Sequence, residues 1–332
     1  MGGRSPRGIV IDMREFKLRK DLKRSVINGF ALPLGIEPLD LKPPTQGYTV
    51  DYREGGSEGP DHYVFHVVAS HERIRGLVRE AFGLLPDEVT PIVEVDSTDA
   101  YRTVDVFVGR EPIPIDDFLD VWDEFEPILM EDASLGAGAN AEEPFVEVFL
   151  DNWKGLLLYV PIELRPEIER MLRRHGLREV EETWPIEDRD AAPPSQVREV
   201  LEIEDEQSPD LQEVLLQLRE LWNLELDVDP EANTDERGRS LGMTLWNAVV
   251  VVESMDESKK GAGAYVNIWA SAGSLSELES LMTGVLDGMP EWRIQAIYAT
   301  DRIAFDERPP ELSDLPMRRK KAEVHRVTVE PW

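Results

Sequence analysis

Between Pro144 and Trp184 the spacing of apolar residues changes period twice, and no other stretch narrows the choice of fold so far. Phe145–Leu150 and Leu156–Val160 are apolar runs of strand length on either side of the turn-forming sequence Asp151-Asn152-Trp153-Lys154-Gly155. A helical segment near Pro166–His175 follows, with Gly176 as its stop, and Leu177–Trp184 returns to strand character. A hairpin, a helix and a returning strand bury their apolar sides together as a sheet with helices on one face, an α+β arrangement. The same order recurs near 48–97 and again near 244–301.

Further elements precede each recurrence. Asp12 and Glu15 make a capping pair for a helix reaching Ile27, with Leu18, Leu22 and Val26 as its stripe, and Ile9–Ile11 suits a short strand. Tyr48–Arg53 and His62–Ala69 form the first hairpin. Ser70 then caps a helix carrying Ile74, Leu77, Val78, Ala81 and Phe82, and Val89–Val95 closes the unit. Thr103–Val108 and a helix from Pro114 open the second unit, with Ala133–Ala141 expected as a loop. Arg198–Ile203 as a strand, and a helix opening at Ser208-Pro209, begin the third. Thr244–Glu253, Ala264–Ala270, a helix capped by Ser274 and Glu277, and Trp292–Thr300 complete it.

Strand, helix, loop, strand, strand, helix, strand is the ferredoxin-like βαββαβ order, with antiparallel sheets and helices on one face. The expectation is three tandem ferredoxin-like units at 1–98, 99–186 and 198–302, with a linker at 187–197. Residues 303–332 read as a C-terminal tail carrying the basic cluster Arg318-Arg319-Lys320-Lys321. A solvated sheet face alternates polar and apolar residues, whereas Leu156–Val160 and Val249–Val252 are apolar throughout. The open sheet faces are therefore expected to pack on each other, within the chain or across a homodimer.

Composition limits the function. The 67 Asp and Glu against 36 Lys and Arg give a net charge of −31, which repels phosphate backbones and disfavours nucleic acid as a partner. A basic protein partner suits such a surface, and adaptation to a salty cytoplasm is the competing explanation. The absence of cysteine removes disulfides, thiolate nucleophiles and sulfur-ligated zinc. With no apolar run of spanning length and no leader-like segment, the sequence reads as a soluble cytoplasmic chain without a membrane partner.

Candidate sites are few. His62 and His66 share a strand face, with His71 just beyond, and could begin a metal site, but with no ligand spacing elsewhere in the chain a polar or interfacial strand position is the preferred reading. His175 sits where a cation complements a helix C-terminus. Asp227, Asp229, Glu231, Asn233 and Asp235 alternate along a loop, yet the glycine and glutamate of a calcium-binding hand are missing at their places. Asp116, Asp117, Asp120, Asp123 and Glu124 make an acidic helix face suited either to solvent or to a basic partner. Gly136-Ala137-Gly138-Ala139 does not meet the dinucleotide fingerprint, and no nucleophile–base motif, phosphate loop or cofactor signature occurs. The expected function is that of a non-enzymatic binding, regulatory or scaffold protein. A small-molecule sensor with its ligand in a groove between units is the alternative, and an enzyme of unknown class comes third.

Overall fold

The computed structural model describes residues 15–38, 44–56, 59–183, 195–204, 208–256, 262–316 and 319–331. The chain is α+β, and its paired strands are antiparallel. A small hairpin, β1 (Val26–Ile27) and β2 (Phe30–Ala31), turns at Asn28-Gly29, both with positive φ. After it come β3 (Ile36–Pro38), the hairpin β4 (Gly47–Arg53) and β5 (His62–Val68), helix α1 (His71–Phe82) and β6 (Glu88–Asp96). Next are β7 (Val104–Gly109), β8 (Ile113–Pro114) and α2 (Ile115–Glu131). They lead to β9 (Leu135–Ala141), β10 (Val146–Leu150), β11 (Leu156–Pro161) and α3 (Arg165–Arg174). The remainder comprises β12 (Ser195–Val197), α4 (Leu211–Leu221), β13 (Leu224–Leu226), β14 (Thr244–Ser254), β15 (Gly263–Ala272), α5 (Leu275–Asp287), β16 (Trp292–Ile303) and β17 (Glu323–Pro331).

The first two expected units are not separate. Their strands form one sheet in the order β13-β7-β6-β9-β10-β11-β5-β4, with β8 paired to β6. The boundary at 98/99 thus falls between two neighbouring strands, β6 and β7. The reason lies in pairing demand: the hairpin β4–β5 has no first strand of its own unit to bind, and β11 offers a complementary apolar edge along Leu156–Val160. Helix α1 then crosses three strands to place β6 between β7 and β9. Leu177–Thr183 does not form the expected closing strand; it touches β4 through a single parallel bridge, Tyr48 to Glu179. Trp184 lies outside the described residues.

Helices α1 to α4 cover one face of this sheet. Phe65, Val93, Leu135, Val148 and Leu158 meet Ile74, Phe118, Trp122, Ile168 and Leu218 in one core. Phe118, Trp122 and Phe82 pack edge-on or tilted at 4.7–6.0 Å, and Trp222 stacks on Phe118 at 5.1 Å. Helix α4 therefore belongs to this larger body, not to a third unit. Its cap is Asp210, in a capping box with Glu213, two residues beyond the expected Ser208.

Residues 15–25 are not helical. Leu18 bridges Leu201, Arg19 N donates to Val200 O (2.8 Å), and Glu202 N donates to Lys17 O (2.8 Å). Phe16 rests 5.6 Å from Phe125, so this segment spends its apolar residues on the core in extended form. The expected strand Arg198–Ile203 is the partner of that segment. Ile9–Ile11 lies outside the described residues. Within the expected linker, 195–197 pairs with β3.

The second sheet has the order β16-β14-β15-β17, with α5 on one face. In a ferredoxin-like unit the strand separating β15 from β16 would be a preceding first strand; here it is β14, the hairpin partner itself. The expected tail 303–332 contributes β17. Val250, Val252, Val266, Ile268, Leu278 and Met282 form a core distinct from the larger one, so the two open sheet faces do not share a hydrophobic interior. Carboxylates explain this on the first sheet: Glu94 and Glu147 stand on its open face, and covering them with apolar surface would bury charge. The two bodies meet instead through polar contacts. Arg302 donates to Asp99 from Nε (2.8 Å) and Nη2 (2.9 Å), and both residues are 3% exposed. Arg219 reaches Ile297 O (3.2 Å), and Tyr298 Oη donates to Asp210 (3.0 Å).

Candidate functional site

Alternation assigns one residue in two to the open face of the larger sheet. Cross-strand register then sets Glu147 beside Asn140 and Tyr159, Phe149 beside Gly138 and Leu157, and Ile92 beside Gly138 and Val108. Glu94 stands beside Gly136 and Val106. Together with His66, Asp151, Asn152 and Asp227 they line a solvent-open hollow of about 680 Å³, a volume within the usual range for ligand sites.

Two glycines shape its floor. A Cβ at Gly138 would stand 2.1 Å from Val148 O and 2.6 Å from Phe149 Cα, and one at Gly136 would meet the Phe149 ring at 2.8 Å. Within the expected loop Ala133–Ala141, residues Leu135–Ala141 are a strand because these glycines leave room for that ring while their neighbours Ala137 and Ala139 face the helices. The ring therefore lies across β9, and the apolar floor runs from Leu157 through Phe149 to Ile92 and Val108.

The charged side chains lining the hollow are carboxylates, Glu94, Glu147, Asp151 and Asp227, with His66 as the titratable nitrogen among the described residues. Burial pushes the Glu147 carboxyl above its ordinary value; a hydrogen bond from Asn140 opposes this, and the charge of Glu94 adds to it. Burial also raises the Tyr159 phenol, with the charges of Glu147 and Glu94 contributing. The surface is thus held at negative potential, and Glu147 gains from any cation that enters.

One end of the hollow is a buried polar corner. His66 Nδ1 lies 2.9 Å from Thr183 Oγ1, and its Nε2 lies 3.9 Å from Asp151 Oδ2. Asp151 Oδ1 accepts from Gly155 N (2.8 Å), and the turn places Lys154 at φ 63° with Nζ donating to Leu135 O (2.5 Å). Burial lowers the Lys154 ammonium to about 8 against the attraction of Asp132, Asp151 and Glu131. Behind it Glu131 accepts from Arg24 Nη2 (2.5 Å), Leu34 N (2.8 Å) and His71 Nε2 (3.1 Å). Burial alone would raise Glu131; the hydrogen bonds from His71 and Arg24 overcome it and bring the carboxyl down to about 2. The niche between these groups holds about 10 Å³, room for no more than a single water.

A hydroxyl, an imidazole and a carboxylate in sequence invite comparison with a nucleophile, base and orienting group. Here the Thr183 side chain is shielded, the residue being 5% exposed, and the carboxylate stands beyond hydrogen-bond reach of the ring. The arrangement ties β5 to the segment 177–183 and offers no hydroxyl to a substrate.

The other candidates occupy different places. His62 lies on the open face as the strand period requires, its Nδ1 donating to Pro60 O (2.9 Å) and its ring against Phe145 at 5.0 Å. His62 and His66 do not converge: among the described residues no group of three or more His, Asp or Glu is placed to share a metal ion. His175 ends α3 and binds Glu80 at 2.7 Å. In the Asp227–Asp235 loop Asp229 accepts from Glu231 N, Asp235 from Arg239 and Asn233 Oδ1 from Arg302, while Asp227 lines the hollow. Asp116, Asp117, Asp120, Asp123 and Glu124 are all exposed on α2, far round the molecule from the hollow, and Asp123 is ion-paired with Arg79. Glu94 and Glu147 carry a sequence signal of their own, a single carboxylate between two valines in a strand (Val93-Glu94-Val95 and Val146-Glu147-Val148). No helix among the described residues is long and apolar enough to cross a membrane.

Comparison with models of protein families, with curated proteins and with solved structures gives no match. The geometry alone carries the functional reading.

Proposed function

We propose that the chain is a non-enzymatic binding protein whose open sheet face receives a basic segment of a protein partner. The observation that carries this reading is the hollow itself: an apolar floor of Leu157, Phe149, Ile92 and Val108 set among Glu94, Glu147, Asp151 and Asp227. A lysine or arginine side chain matches that pattern, its methylenes covering the floor and its cationic head meeting a carboxylate. The net charge of −31 adds long-range attraction for the same class of partner.

Titration of the full chain with an arginine- and lysine-rich peptide at low salt tests the reading. Glu94→Gln combined with Glu147→Gln is expected to weaken binding by roughly tenfold or more, and added salt to weaken the wild type further. Glu147 starts with a raised pKa, so its neutralisation leaves the melting temperature unchanged or higher. Affinity is also expected to rise with pH through the Glu147 titration and to lose that dependence in Glu147→Gln. Equal affinity in the double variant, with loss on neutralising Asp116, Asp117, Asp120 and Glu124, would move the site to α2. Binding of free arginine or a polyamine as tight as the peptide would assign the hollow to a small cation, the sensor reading.

A further inference from the structure

We propose that β17 is the self-association edge of the protein and pairs antiparallel with β17 of a second copy, about a two-fold axis through Thr328. β17 is the terminal strand of the smaller sheet, and its inner side is paired with β15 along its length. Among the described residues no backbone group of 323–331 bonds to backbone outside that ladder. A long, unpaired edge of this kind is a template for another strand.

Natural edges are blunted by bulges, prolines or charges that repel a partner. In β17 the irregularity falls at the Trp269/Ala270 step, opposite the start of the strand, and the proline is its last residue. Between them Arg326-Val327-Thr328-Val329-Glu330 is regular, with partners Trp269, Ile268, Asn267, Val266 and Tyr265 on β15. Two faces follow. Val327 and Val329 stand over Ile268 and Val266 on the α5 side, continuous with the smaller core, and Val329 is left 38% exposed. Arg326, Thr328 and Glu330 occupy the opposite side.

The order of these five residues is self-complementary. With Thr328 on the axis, each Arg326 stands opposite the Glu330 of the other copy, each Val327 opposite a Val329, and Thr328 opposite itself. All three are favourable cross-strand pairs. A shift of the axis to Val327 sets Arg326 against Thr328 and Val324 against Glu330, losing both charge pairs. Arg326 is ion-paired with Glu311 at 3.4 Å, and both side chains are exposed, so the guanidinium is cheaply redirected. The result is an isologous dimer with one sheet continuous through both copies and α5 on the same face of each.

Sedimentation velocity of the full chain over a low- to high-micromolar dilution series reads the outcome. The wild type is expected to show a monomer–dimer equilibrium. Arg326→Glu and Glu330→Arg alone place like charges opposite each other and shift it to monomer, and the double variant R326E/E330R restores the dimer. The chain contains no cysteine, so Thr328→Cys supplies its sole thiol on the axis. It is expected to oxidise to a disulfide dimer faster than Ser280→Cys, an exposed position on α5. Thermal melts confirm that each variant folds. A wild type that stays monomeric throughout, a dimer indifferent to the single charge reversals, or Thr328→Cys cross-linking no faster than Ser280→Cys would each overturn the proposal.

Discussion

Replacing Asp99 by alanine is expected to cost about 3–5 kcal/mol of stability, the usual consequence of leaving one partner of a buried ion pair unmatched. Asp99 receives Arg302 through Nε, Nη2 and the backbone N–H of the same residue, the last at 2.7 Å. Arg302 is held further by Asn233 Oδ1 at 3.0 Å and Thr234 O at 2.6 Å, and its guanidinium faces the Tyr101 ring at 5.3 Å. Those remaining acceptors are neutral, so the charge would stay buried without its counter-charge. Asp99 lies in the connection after β6 and Arg302 at the end of β16, and the two cores share no hydrophobic cluster. Breaking the pair therefore weakens the coupling between two bodies as well as one contact. Urea unfolding followed by tryptophan fluorescence and far-UV circular dichroism is expected to give coincident transitions for the wild type. Non-coincident ones are expected for Asp99→Ala. Asp99→Ala combined with Arg302→Met removes both charges and should recover most of the loss. A single-variant cost below about 1 kcal/mol, typical of an exposed pair, would contradict the account.

Stability is expected to rise with pH at both ends of the accessible range, because the buried corner holds two groups shifted downward. Glu131 falls from 4.5 to about 2 on folding, with Arg24, His71 and the Leu34 amide as partners. Its folded pKa is depressed, so its contribution is fully present above pH 4.5 and is lost as pH falls towards 2. The shift corresponds to about 3 kcal/mol. Lys154 falls from 10.5 to about 8. Above pH 8 the folded chain has released this proton while the unfolded chain still holds it, so stability climbs, by about 2 kcal/mol near pH 10. Beyond that the raised phenols of Tyr48, Tyr159 and Tyr298 reverse the trend. Urea midpoints across pH check both limbs. Glu131→Gln should flatten the acid limb and Lys154→Met the alkaline one, each leaving the other in place.

The helices were legible because a 3.6-residue stripe names its own buried face. Ile74, Leu77, Val78, Ala81 and Phe82 are all buried on α1, and Leu278 and Met282 on α5, where Ser274 caps Glu277 N at 3.2 Å. The strand period likewise assigned His62 and His66 to the open face. Neighbours were not legible. A period of two says which side a residue faces and nothing of which strand lies beside it, so the pairing of β5 with β11 and of β6 with β9 could not be read. The 15–27 segment misled because Leu18, Leu22 and Val26 fit a helical stripe while Phe16 and Leu18 fit an extended one, and contact with Phe125 and Leu201 decides between them. The hollow needed the same long-range pairing: Glu94 and Glu147 come together only when β6, β9 and β10 are adjacent. Asp151 and Lys154 read as turn residues because nothing local marks that turn as buried.

The glycine pair of β9 has a consequence for how such a protein can diversify. Side chains at 136 and 138 are excluded by Phe149 and the β10 backbone, so the middle of the floor cannot be deepened, narrowed or recharged from that strand. Changes in what the face selects must come from its walls, at 94, 106, 147 and 159, where alternation leaves side chains free to vary without disturbing the helices beneath. A fixed bed with exchangeable sides lets one scaffold be retargeted at little risk to its folding.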